Sequence, residues 1–546
     1  MATPSRALRS LLLFSVALAW LPAAAHAAAC SGAGIQAIAP PGATITAAVE
    51  IAAAAPIPEH CRVDGFVATP GNTVSFRLAL PTAAWNGKLY FPGNGGYAGS
   101  LVSLDAGLAR GYASVTTDTG HQAGPADASW ALENLPKKID YGYRGVHVVA
   151  VAAKSLTRAF YGTGPRFSYF DGCSNGGRQA MMEAQRFPED FDGVIAGDPE
   201  LGDLQTGFNW NMQALLATPQ SYLPAGKLAL ITNAALAECD GKDGLVDGLI
   251  DDPRRCRFDP ASLRCEAGDA PTCLTDGQIE AVKKIYAGPV TSDGGRLFPG
   301  FTVGSEAGPG GWDAWISGTV PPFVGPDGAL WLSSAQSALN VNFVKYLAFD
   351  DPGFRVTQFD FDRDPALLAK SIGPILDPSD PDLSPFQERG AKLIMYHGWA
   401  DPALTPLRTV DYHRAVVTTL EHRSRVLGHV KTDDFFRLFM VPGMYHCGGG
   451  PGPNAFDALT ALENWVEHGA APDRIIATKF LGDDPAQGIE RTRPLCPYPQ
   501  VARYRGAGSI DDAASFECGL HGLDHADEAA GVTPGAQGRD GARSSP

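Results

Sequence analysis

Ser174 lies between glycines in a segment that could present it as a nucleophile. Residues 172–176 read Gly-Cys-Ser-Asn-Gly, which matches the G-x-S-x-G pattern of a nucleophile elbow. The residues from Phe167 onward alternate like a short buried strand, and residues 178–187 contain helix formers without Gly or Pro. The elbow is a tight turn that needs small neighbours, and it holds the hydroxyl near a helix N-terminus, where negative charge is favoured. The pattern therefore predicts nucleophilic catalysis by Ser174.

A serine nucleophile needs a base to take its proton and an acid to orient that base. In α/β hydrolases the acid and then the base follow the nucleophile, each in the loop after a strand. Apolar runs at 391–396 and 435–441 predict two such strands, and Asp401 and His446 follow them. Because sites in open α/β sheets form at the carboxyl ends of strands, we predict a triad of Ser174, Asp401 and His446.

Other residues compete for the same two roles. His397 also follows a strand, but it precedes the candidate acid and so breaks the expected chain order. The remaining competitors for the base are His413, His422 and His429. Asp433 and Asp434 precede a strand rather than follow one, so they are weaker candidates for the acid.

Cysteines adjoin both the predicted nucleophile and the predicted base. Cys173 precedes Ser174, and Cys447 follows His446. If the serine and the histidine meet, their neighbours could reach the roughly 5.5–6 Å Cα separation of a disulfide. The alternative is that each cysteine pairs elsewhere, since the sequence alone does not fix the pairing of ten cysteines.

The composition is that of a globular, acidic protein. The chain has 546 residues, 45% of them hydrophobic and 19% charged, with a formal net charge of −16. This length predicts a large catalytic domain with an insertion, or two to three domains. Nucleic-acid binding requires clustered Lys and Arg, so the negative charge argues against a nucleic-acid partner.

The elements that must position the candidate triad follow an α/β pattern. Strands are predicted at 63–69, 74–80, 88–91 and 113–117, and a helix is predicted at 143–161. Residues 91–97 form a glycine-rich loop directly after the third of these strands. After Asp198 the strand–helix rhythm is lost, and it returns at about residue 391. The sequence therefore predicts an α/β sheet interrupted by an inserted lid.

The termini predict export and a disordered end. Arg6 and Arg9 precede a short apolar run, and the small residues at 25–27 offer a cleavage site. No later segment is long and apolar enough to predict a transmembrane helix, so a secreted or periplasmic protein without a membrane partner is expected. The predicted divisions are a signal peptide (1–27), a catalytic domain in two parts (28–200 and 380–519), a lid (201–379) and a disordered tail (520–546).

The chain resembles the tannase/feruloyl esterase family of secreted serine esterases. That family is marked by a Cys-Ser, Asp and His-Cys arrangement, which is present here as Cys173-Ser174, Asp401 and His446-Cys447. The similarity extends from residues 57–61 to residues 493–498. This family also includes a hydrolase of mono(2-hydroxyethyl) terephthalate (MHET). The resemblance implies an α/β-hydrolase core with a large inserted lid and the hydrolysis of carboxylic esters of aromatic acids.

The resemblance also implies roles for residues outside the triad. The backbone N–H groups of Gly96 and Asn175 would form the oxyanion hole, in the glycine-rich loop and directly after the nucleophile. The implied disulfides are Cys30–Cys61, Cys173–Cys447, Cys239–Cys256, Cys265–Cys273 and Cys496–Cys518.

Residues 239–252, here called the acidic loop, place five aspartates in a glycine-rich turn. Carboxylates this close repel one another unless water or a hard cation neutralises them. The spacing does not match an EF-hand, and a solvated loop is the alternative on charge alone. The family resemblance implies a structural Ca²⁺, whose ligands would be the side chains of Asp240, Asp243 and Asp247 and the carbonyls of Leu245 and Leu249.

Substrate contacts are expected from the lid and from the loop after Asp401. Trp315 resembles a lid tryptophan that stacks on the substrate, whereas Trp312 is better interpreted as lid core. Leu404 replaces the Phe of the MHET-hydrolysing member, and no lid Arg clearly matches that member's carboxylate-binding residue. Feruloyl or galloyl esters are therefore expected before MHET. A secreted peptidase and a non-catalytic binding protein are the alternatives from other classes, and the sequence indicates no oligomeric state.

Overall fold

The computed structural model describes residues 30–427 and 431–520. The predicted signal peptide, His429 and residues 521–546 of the predicted tail lie outside these residues. The strands are β1 (Ala43–Ile51), β2 (His60–Thr69), β3 (Asn72–Pro81), β4 (Lys88–Pro92), β5 (Ala113–Thr117), β6 (Phe167–Cys173), β7 (Gly193–Gly197), β8 (Phe323–Val324), β9 (Leu330–Trp331), β10 (Lys392–Gly398), β11 (Phe436–Val441), β12 (Ile475–Phe480), β13 (Ile489–Leu495), β14 (Val501–Tyr504) and β15 (Phe516–Gly519).

One nine-stranded sheet organises the described chain, with the order β1-β2-β3-β5-β4-β6-β7-β10-β11. Strands β1, β2, β3 and β5 pair antiparallel, and the sheet is parallel from β5 through β4 to β11. All five residues of β7 are buried, as expected for a parallel strand covered on both faces. The parallel strands therefore end at one common edge, where a site can form.

Helices cover both faces of the sheet. They are α1 (Gly32–Ala37), α2 (Asp105–Ala109), α3 (Leu135–Ile139), α4 (Gly145–Tyr161), α5 (Asn175–Arg186), α6 (Leu204–Leu216), α7 (Ala225–Cys239), α8 (Asp276–Ala287), α9 (Trp312–Trp315), α10 (Ala335–Asn342), α11 (Asp364–Ser371), α12 (Gly373–Leu376), α13 (Ser384–Glu388), α14 (Pro406–Leu427) and α15 (Ala458–His468). Helices α4 and α5 pack into the apolar core on one face, and α15 packs into the core on the other. Each fully buried Leu or Phe there contributes about 1.5–3 kcal/mol.

The chain between β7 and β10, all of which the structure describes, contributes no strand to the main sheet. It contains helices α6 to α13 and the two-stranded β8–β9 hairpin. These residues form most of a separate apolar core that includes Ile231, Ile279, Trp312 and Val344. An α/β core interrupted by a separately packed segment agrees with the predicted fold class, and the exact bounds at 201 and 379 stay predictions.

The edges of the fold differ most from the sequence expectations. Strand β1 was not predicted, because its Ala- and Thr-rich sequence lies at a half-exposed sheet edge and carries few large apolar residues. The two-stranded sheets β12–β13 and β14–β15 were also missed. Helix α4 begins at Gly145 rather than at 143, because residues 140–144 form a π-helical turn before it.

Five disulfides join the ten cysteines, in the pairs that the family resemblance implied. Cys173–Cys447 spans 274 positions of the chain, whereas the other four close loops of 8 to 31 positions. A bridge that closes a longer loop removes more entropy from the unfolded chain, by up to about 5 kcal/mol for large loops.

Candidate active site

Ser174 occupies the sharp turn between β6 and α5, with a backbone φ of 63° and ψ of −124°. A positive φ is strained for a residue with a side chain, and such strain is concentrated at functional sites. A Cβ atom at Gly172 would lie 2.4 Å from the carbonyl oxygen of Gly176, so the tight turn requires glycine. The Ser174 N–H donates to the carbonyl of Gly197 at 3.0 Å, which fastens the turn to the end of β7.

Asp401 and His446 meet in the loops that follow β10 and β11. Nδ1 of His446 lies 2.8 Å from Oδ2 of Asp401. The other carboxylate oxygen, Oδ1, accepts the N–H groups of Ala403 at 2.7 Å and Leu404 at 2.9 Å. Because these bonds fix the carboxylate, the imidazole is held by Nδ1 and its Nε2 is left for a second partner.

The Cys173–Cys447 disulfide brings the serine and histidine loops together. Its two Cα atoms are 5.9 Å apart. Ser174 and His446, the neighbours of the two cysteines, line the same cavity. The structure therefore brings together all three residues that the sequence assigned to the triad.

A second buried pair, Asp198 and His397, lies behind the Asp401–His446 pair. Nε2 of His397 is 3.2 Å from Oδ2 of Asp401 and 3.9 Å from Oδ1 of Asp198. Asp198 accepts the N–H of Gly398 at 2.8 Å and the N–H of Cys447 at 2.6 Å. Asp198 thus ties the loop after β10 to the loop after β11, and we call these four side chains the charge cluster.

The charge cluster shifts the pKa of each of its members. Burial lowers the pKa of His446, but the negative charges of Asp401 and Asp198 outweigh burial and raise it above the ordinary value. The pKa of His397 is raised in the same way, against burial, by Asp198 and Asp401. Burial raises the pKa of Asp401, yet the two imidazoles hold it far below its usual range. Burial raises the pKa of Asp198, although His397 opposes this effect.

Gly96 and Asn175 lie beside Ser174 on the cavity wall. The Tyr141 hydroxyl is 2.9 Å from both the Gly96 carbonyl and Oδ1 of Asn175, so it links the glycine-rich loop to the start of α5. Gly96 has a φ of +55°, and a Cβ there would lie 2.4 Å from the carbonyl oxygen of Pro125. Two loops that end neighbouring strands are thus fixed next to the nucleophile.

The cavity that contains Ser174 and His446 has a volume of about 440 Å³. Its apolar lining includes Leu204, Phe208 and Leu404. Trp315 also lines it and packs edge-on against the His446 ring, with the ring centroids 4.9 Å apart. Both predicted substrate contacts, Trp315 and Leu404, therefore face this cavity. Trp312 is fully buried in the inserted segment, as its interpretation as lid core predicted.

The competing histidines are placed away from the cavity lining. His397 is fully buried, with Nδ1 2.7 Å from the Thr409 hydroxyl and Nε2 3.1 Å from the Leu404 carbonyl oxygen. Burial lowers the pKa of His413 to about 4, in a position against Phe436 and Tyr498. His446 is the histidine among the residues that line the cavity beside Ser174.

The acidic loop is folded around its own backbone amides. Asp240 accepts the N–H groups of Asp247 and Gly248, at 3.1 and 3.0 Å. Asp243 accepts the N–H of Leu245, and Asp247 accepts the N–H of Leu249. Within residues 30–427 and 431–520, no three carboxylates of this loop bring their oxygens within 4.8 Å of one another.

Cations of the protein neutralise only part of the acidic loop. Arg493 pairs with Asp247 at 2.7 Å, and Arg254 pairs with Asp252 at 2.6 Å. Asp251 is 8% exposed, and its Oδ2 is buried with no partner among the residues that the structure describes. Burial and neighbouring Asp243 raise the pKa of Asp251 to about 7. The loop is rich in carboxylates and backbone carbonyls, and one of its carboxylate oxygens is buried without a hydrogen bond from any described residue. Oxygen ligands of this kind suit a hard cation.

Sequence reasoning missed Asp198, Glu200 and Gln205. Asp198 holds the charge cluster together, and the other two line the cavity. The signal that could have found the first two is their place directly after the buried run 193–197, since residues at the carboxyl ends of parallel strands build such sites.

An elbow serine beside a His–Asp pair, at the common edge of a mixed sheet covered by helices, is typical of serine hydrolases with the α/β-hydrolase fold. Comparison with known proteins agrees with this class. A family model described as Tannase and feruloyl esterase matches residues 61–519.

Similar proteins span nearly the whole chain. An esterase of Xanthomonas campestris pv. campestris is 38% identical over 92% of this chain and 92% of its own length. The mono(2-hydroxyethyl) terephthalate hydrolase of Piscinibacter sakaiensis is 35% identical over 86% of this chain and 87% of its own length. The crystal structure of feruloyl esterase B from Aspergillus oryzae matches with a TM-score of 0.77 at 27% identity, over 89% of this chain and all of that one.

The chain belongs to the tannase and feruloyl esterase family, and it is a carboxylic ester hydrolase. This membership confirms the predicted family and the predicted α/β-hydrolase fold. No helix in the described parts of the chain is long and apolar enough to cross a membrane.

Proposed function

We propose that the protein hydrolyses carboxylic esters of aromatic acids through an acyl-enzyme at Ser174. The observation that carries this proposal is the elbow serine in one cavity with the hydrogen-bonded pair His446 and Asp401. His446 takes the serine proton as Ser174 attacks the ester carbonyl, and Asp401 stabilises the imidazolium that forms. His446 then protonates the leaving alcohol and activates the water that releases the acid.

The oxyanion that forms during attack is stabilised by the backbone N–H groups of Gly96 and Asn175. Donors fixed before the reaction stabilise developing charge without reorganisation, and losing one typically costs about 10²–10³-fold in kcat. The Tyr141 hydroxyl supports this role because it holds the two residues in one arrangement.

The aromatic substrate class is supported by the cavity and by the relatives. Trp315, Phe208 and Leu404 offer flat and apolar surface to a ring. Feruloyl and galloyl esters are the first choice, and MHET is the alternative because a MHET hydrolase is among the similar proteins. The absence of Lys and Arg from the described lining of this cavity disfavours a terephthalate carboxylate.

A structural Ca²⁺ in the acidic loop belongs to the same proposal. The side chains of Asp240, Asp243 and Asp247 and the carbonyls of Leu245 and Leu249 would hold it. The ion neutralises carboxylates and fixes the loop, which the Cys239–Cys256 disulfide already closes. It takes no part in the chemistry. Export to the periplasm or the medium is supported by five disulfides, because these persist in oxidising compartments.

The test is a comparison of kcat/KM on methyl ferulate, methyl gallate and MHET, with Ser174→Ala as the control. We expect turnover of an aromatic ester, and a loss of at least about 10⁴-fold in Ser174→Ala. A fluorophosphonate probe should label the wild type at Ser174. Retained activity in Ser174→Ala contradicts the nucleophile assignment, and faster cleavage of the matching amide than of the ester supports a peptidase instead.

A further inference from the structure

The cavity beside Ser174 contains a carboxylate that ester hydrolysis does not use. Glu200 follows β7 and lines the cavity together with Ser174 and His446. Its backbone N–H approaches the Ser174 carbonyl oxygen at 3.4 Å. The main chain therefore sets the position of Glu200 relative to the nucleophile.

The Glu200 carboxylate makes no hydrogen bond or ion pair within residues 30–427 and 431–520. The cation that acts on it, Arg178, is bonded elsewhere. Nε of Arg178 donates to Asn175 at 2.8 Å, and its other nitrogens donate to the carbonyls of Gly142 and Tyr141. Glu200 is half-buried at the cavity wall. A substrate that displaces water from the cavity would leave this carboxylate without donors, which is unfavourable, so a donor from the bound molecule would satisfy it.

The shifted pKa of Glu200 agrees with this lack of donors. Burial raises the pKa, the positive charge of Arg178 opposes the rise, and Asp377 adds to it. Donors that bonded the charged form would have lowered the pKa instead.

Gln205 adds a second acceptor on the same wall. It lies in the first turn of α6, is 3% exposed, and lines the cavity. Its Nε2 donates to the Tyr97 hydroxyl at 3.2 Å, whereas its Oε1 is buried with no partner among the described residues. The cavity wall thus presents two acceptors for which the described part of the chain supplies no donor.

Building on the proposed ester hydrolase function, we propose that Glu200 and Gln205 form a specificity-determining subsite that accepts hydrogen bonds from a hydroxyl group of the substrate. The hydroxyl is carried either by the aromatic acid, as a phenol, or by the alcohol portion of the ester. The charge of Glu200 also acts against substrates with a free carboxylate, because two anions repel in an apolar cavity.

Matched ester pairs test this subsite. Comparing methyl 3,4-dihydroxybenzoate with methyl benzoate measures the effect of a hydroxyl on the acid. Comparing 2-hydroxyethyl benzoate with ethyl benzoate measures the effect of a hydroxyl on the alcohol. MHET against 2-hydroxyethyl benzoate reports the effect of an added carboxylate. We would measure kcat/KM for each ester with the wild type, Glu200→Gln and Glu200→Leu, and with Glu189→Gln as the control for an exposed glutamate.

In one of the two hydroxyl pairs, we expect the wild type to prefer the hydroxylated ester. The ratio of kcat/KM values that expresses this preference should fall about tenfold in Glu200→Gln and further in Glu200→Leu. The rate on MHET relative to 2-hydroxyethyl benzoate should rise in both variants, while Glu189→Gln keeps the wild-type ratios. Each ratio is internal to one enzyme sample, so it does not depend on the fraction that is folded.

The same data separate two failures. If the wild type hydrolyses the benzoates and the hydroxyl ratios do not change in either Glu200 variant, the subsite is overturned and the ester hydrolase proposal stands. If the wild type hydrolyses none of the five esters, the proposed aromatic ester function fails and the subsite falls with it.

Discussion

Two regions of this molecule concentrate carboxylates, and they neutralise them differently. In the charge cluster, Asp198 and Asp401 face two imidazoles and accept four backbone N–H groups. In the acidic loop, Asp240 and Asp243 accept backbone N–H groups but have no ion pair within the described residues. One oxygen of Asp251 in this loop has no partner in the described parts of the chain.

The difference follows from where each region obtains its countercharge. The charge cluster is built at the ends of β7, β10 and β11, so distant parts of the chain bring imidazoles to the acids. The acidic loop is a short segment within the inserted region, and a short turn rich in Asp and Gly cannot fold enough cations onto itself. Side chains in fixed positions that can gain and lose a proton suit catalysis, whereas an exchangeable ion suffices to fix a loop.

Breaking the charge cluster at its acid should produce the largest effect. Asp401→Asn removes the negative charge that orients and stabilises the His446 imidazolium, and we expect kcat on an aromatic ester to fall by about 10⁴-fold. Asp411→Asn, which changes a half-exposed aspartate beside Arg414, is the matched control and should keep wild-type activity. A loss of less than tenfold in Asp401→Asn would mean that another residue is the acid.

Removing or supplying calcium should affect the acidic loop and leave the charge cluster unchanged. Relative to excess chelator, Ca²⁺ at about 100 times its Kd should stabilise the folded protein by about 2.7 kcal/mol, measured by denaturant unfolding. Asp243→Asn should lose most of this gain, and Glu266→Gln, an exposed carboxylate in the same inserted segment, should retain it. Equal stability of the wild type with chelator and with calcium would rule out the structural ion.

The smallest expected effect is the change of kcat/KM and of stability with pH, and the two should change in opposite directions. The pKa of His446 is raised by Asp401 and Asp198, so the neutral base forms only above the ordinary value of about 6.5. We expect kcat/KM to fall about tenfold per pH unit below that raised pKa. The sign for stability is opposite. The contribution from this histidine is full below about pH 6.5 and is lost as the pH rises through the folded-state pKa.

Rate profiles and denaturant unfolding across the same pH range check both signs. An acid limb of kcat/KM centred below pH 6.5 would show that the base is not held by the two carboxylates. That result would also mean that the charge cluster does not balance its carboxylates with its own side chains, which is the property that distinguishes it from the acidic loop.

Local patterns predicted the site residues that lie at strand ends, as well as most of the main sheet. Ser174 was found because an elbow needs glycine neighbours between a strand and a helix, and β5 was predicted with its observed bounds. Asp401 and His446 were predicted because they follow two clear apolar runs, and these runs form β10 and β11. Strand β1 was not found, because its pairing with β2 rather than its own hydrophobicity makes it a strand.

The sequence alone determined the residue types, the chain order Ser–Asp–His, and the cysteines that adjoin the serine and the histidine. Only the tertiary structure decided that Asp198 links Gly398 to Cys447 and that His397 is buried against Asp401. It also decided that Glu200 faces the cavity with no partner in the part of the chain that the structure describes. Whether a carboxylate is paired or left open depends on groups about 200 positions away in the chain. Periodicity and local spacing in a sequence report only on residues that are near one another in the chain. The pairing of these carboxylates is therefore set only when distant strands pack side by side.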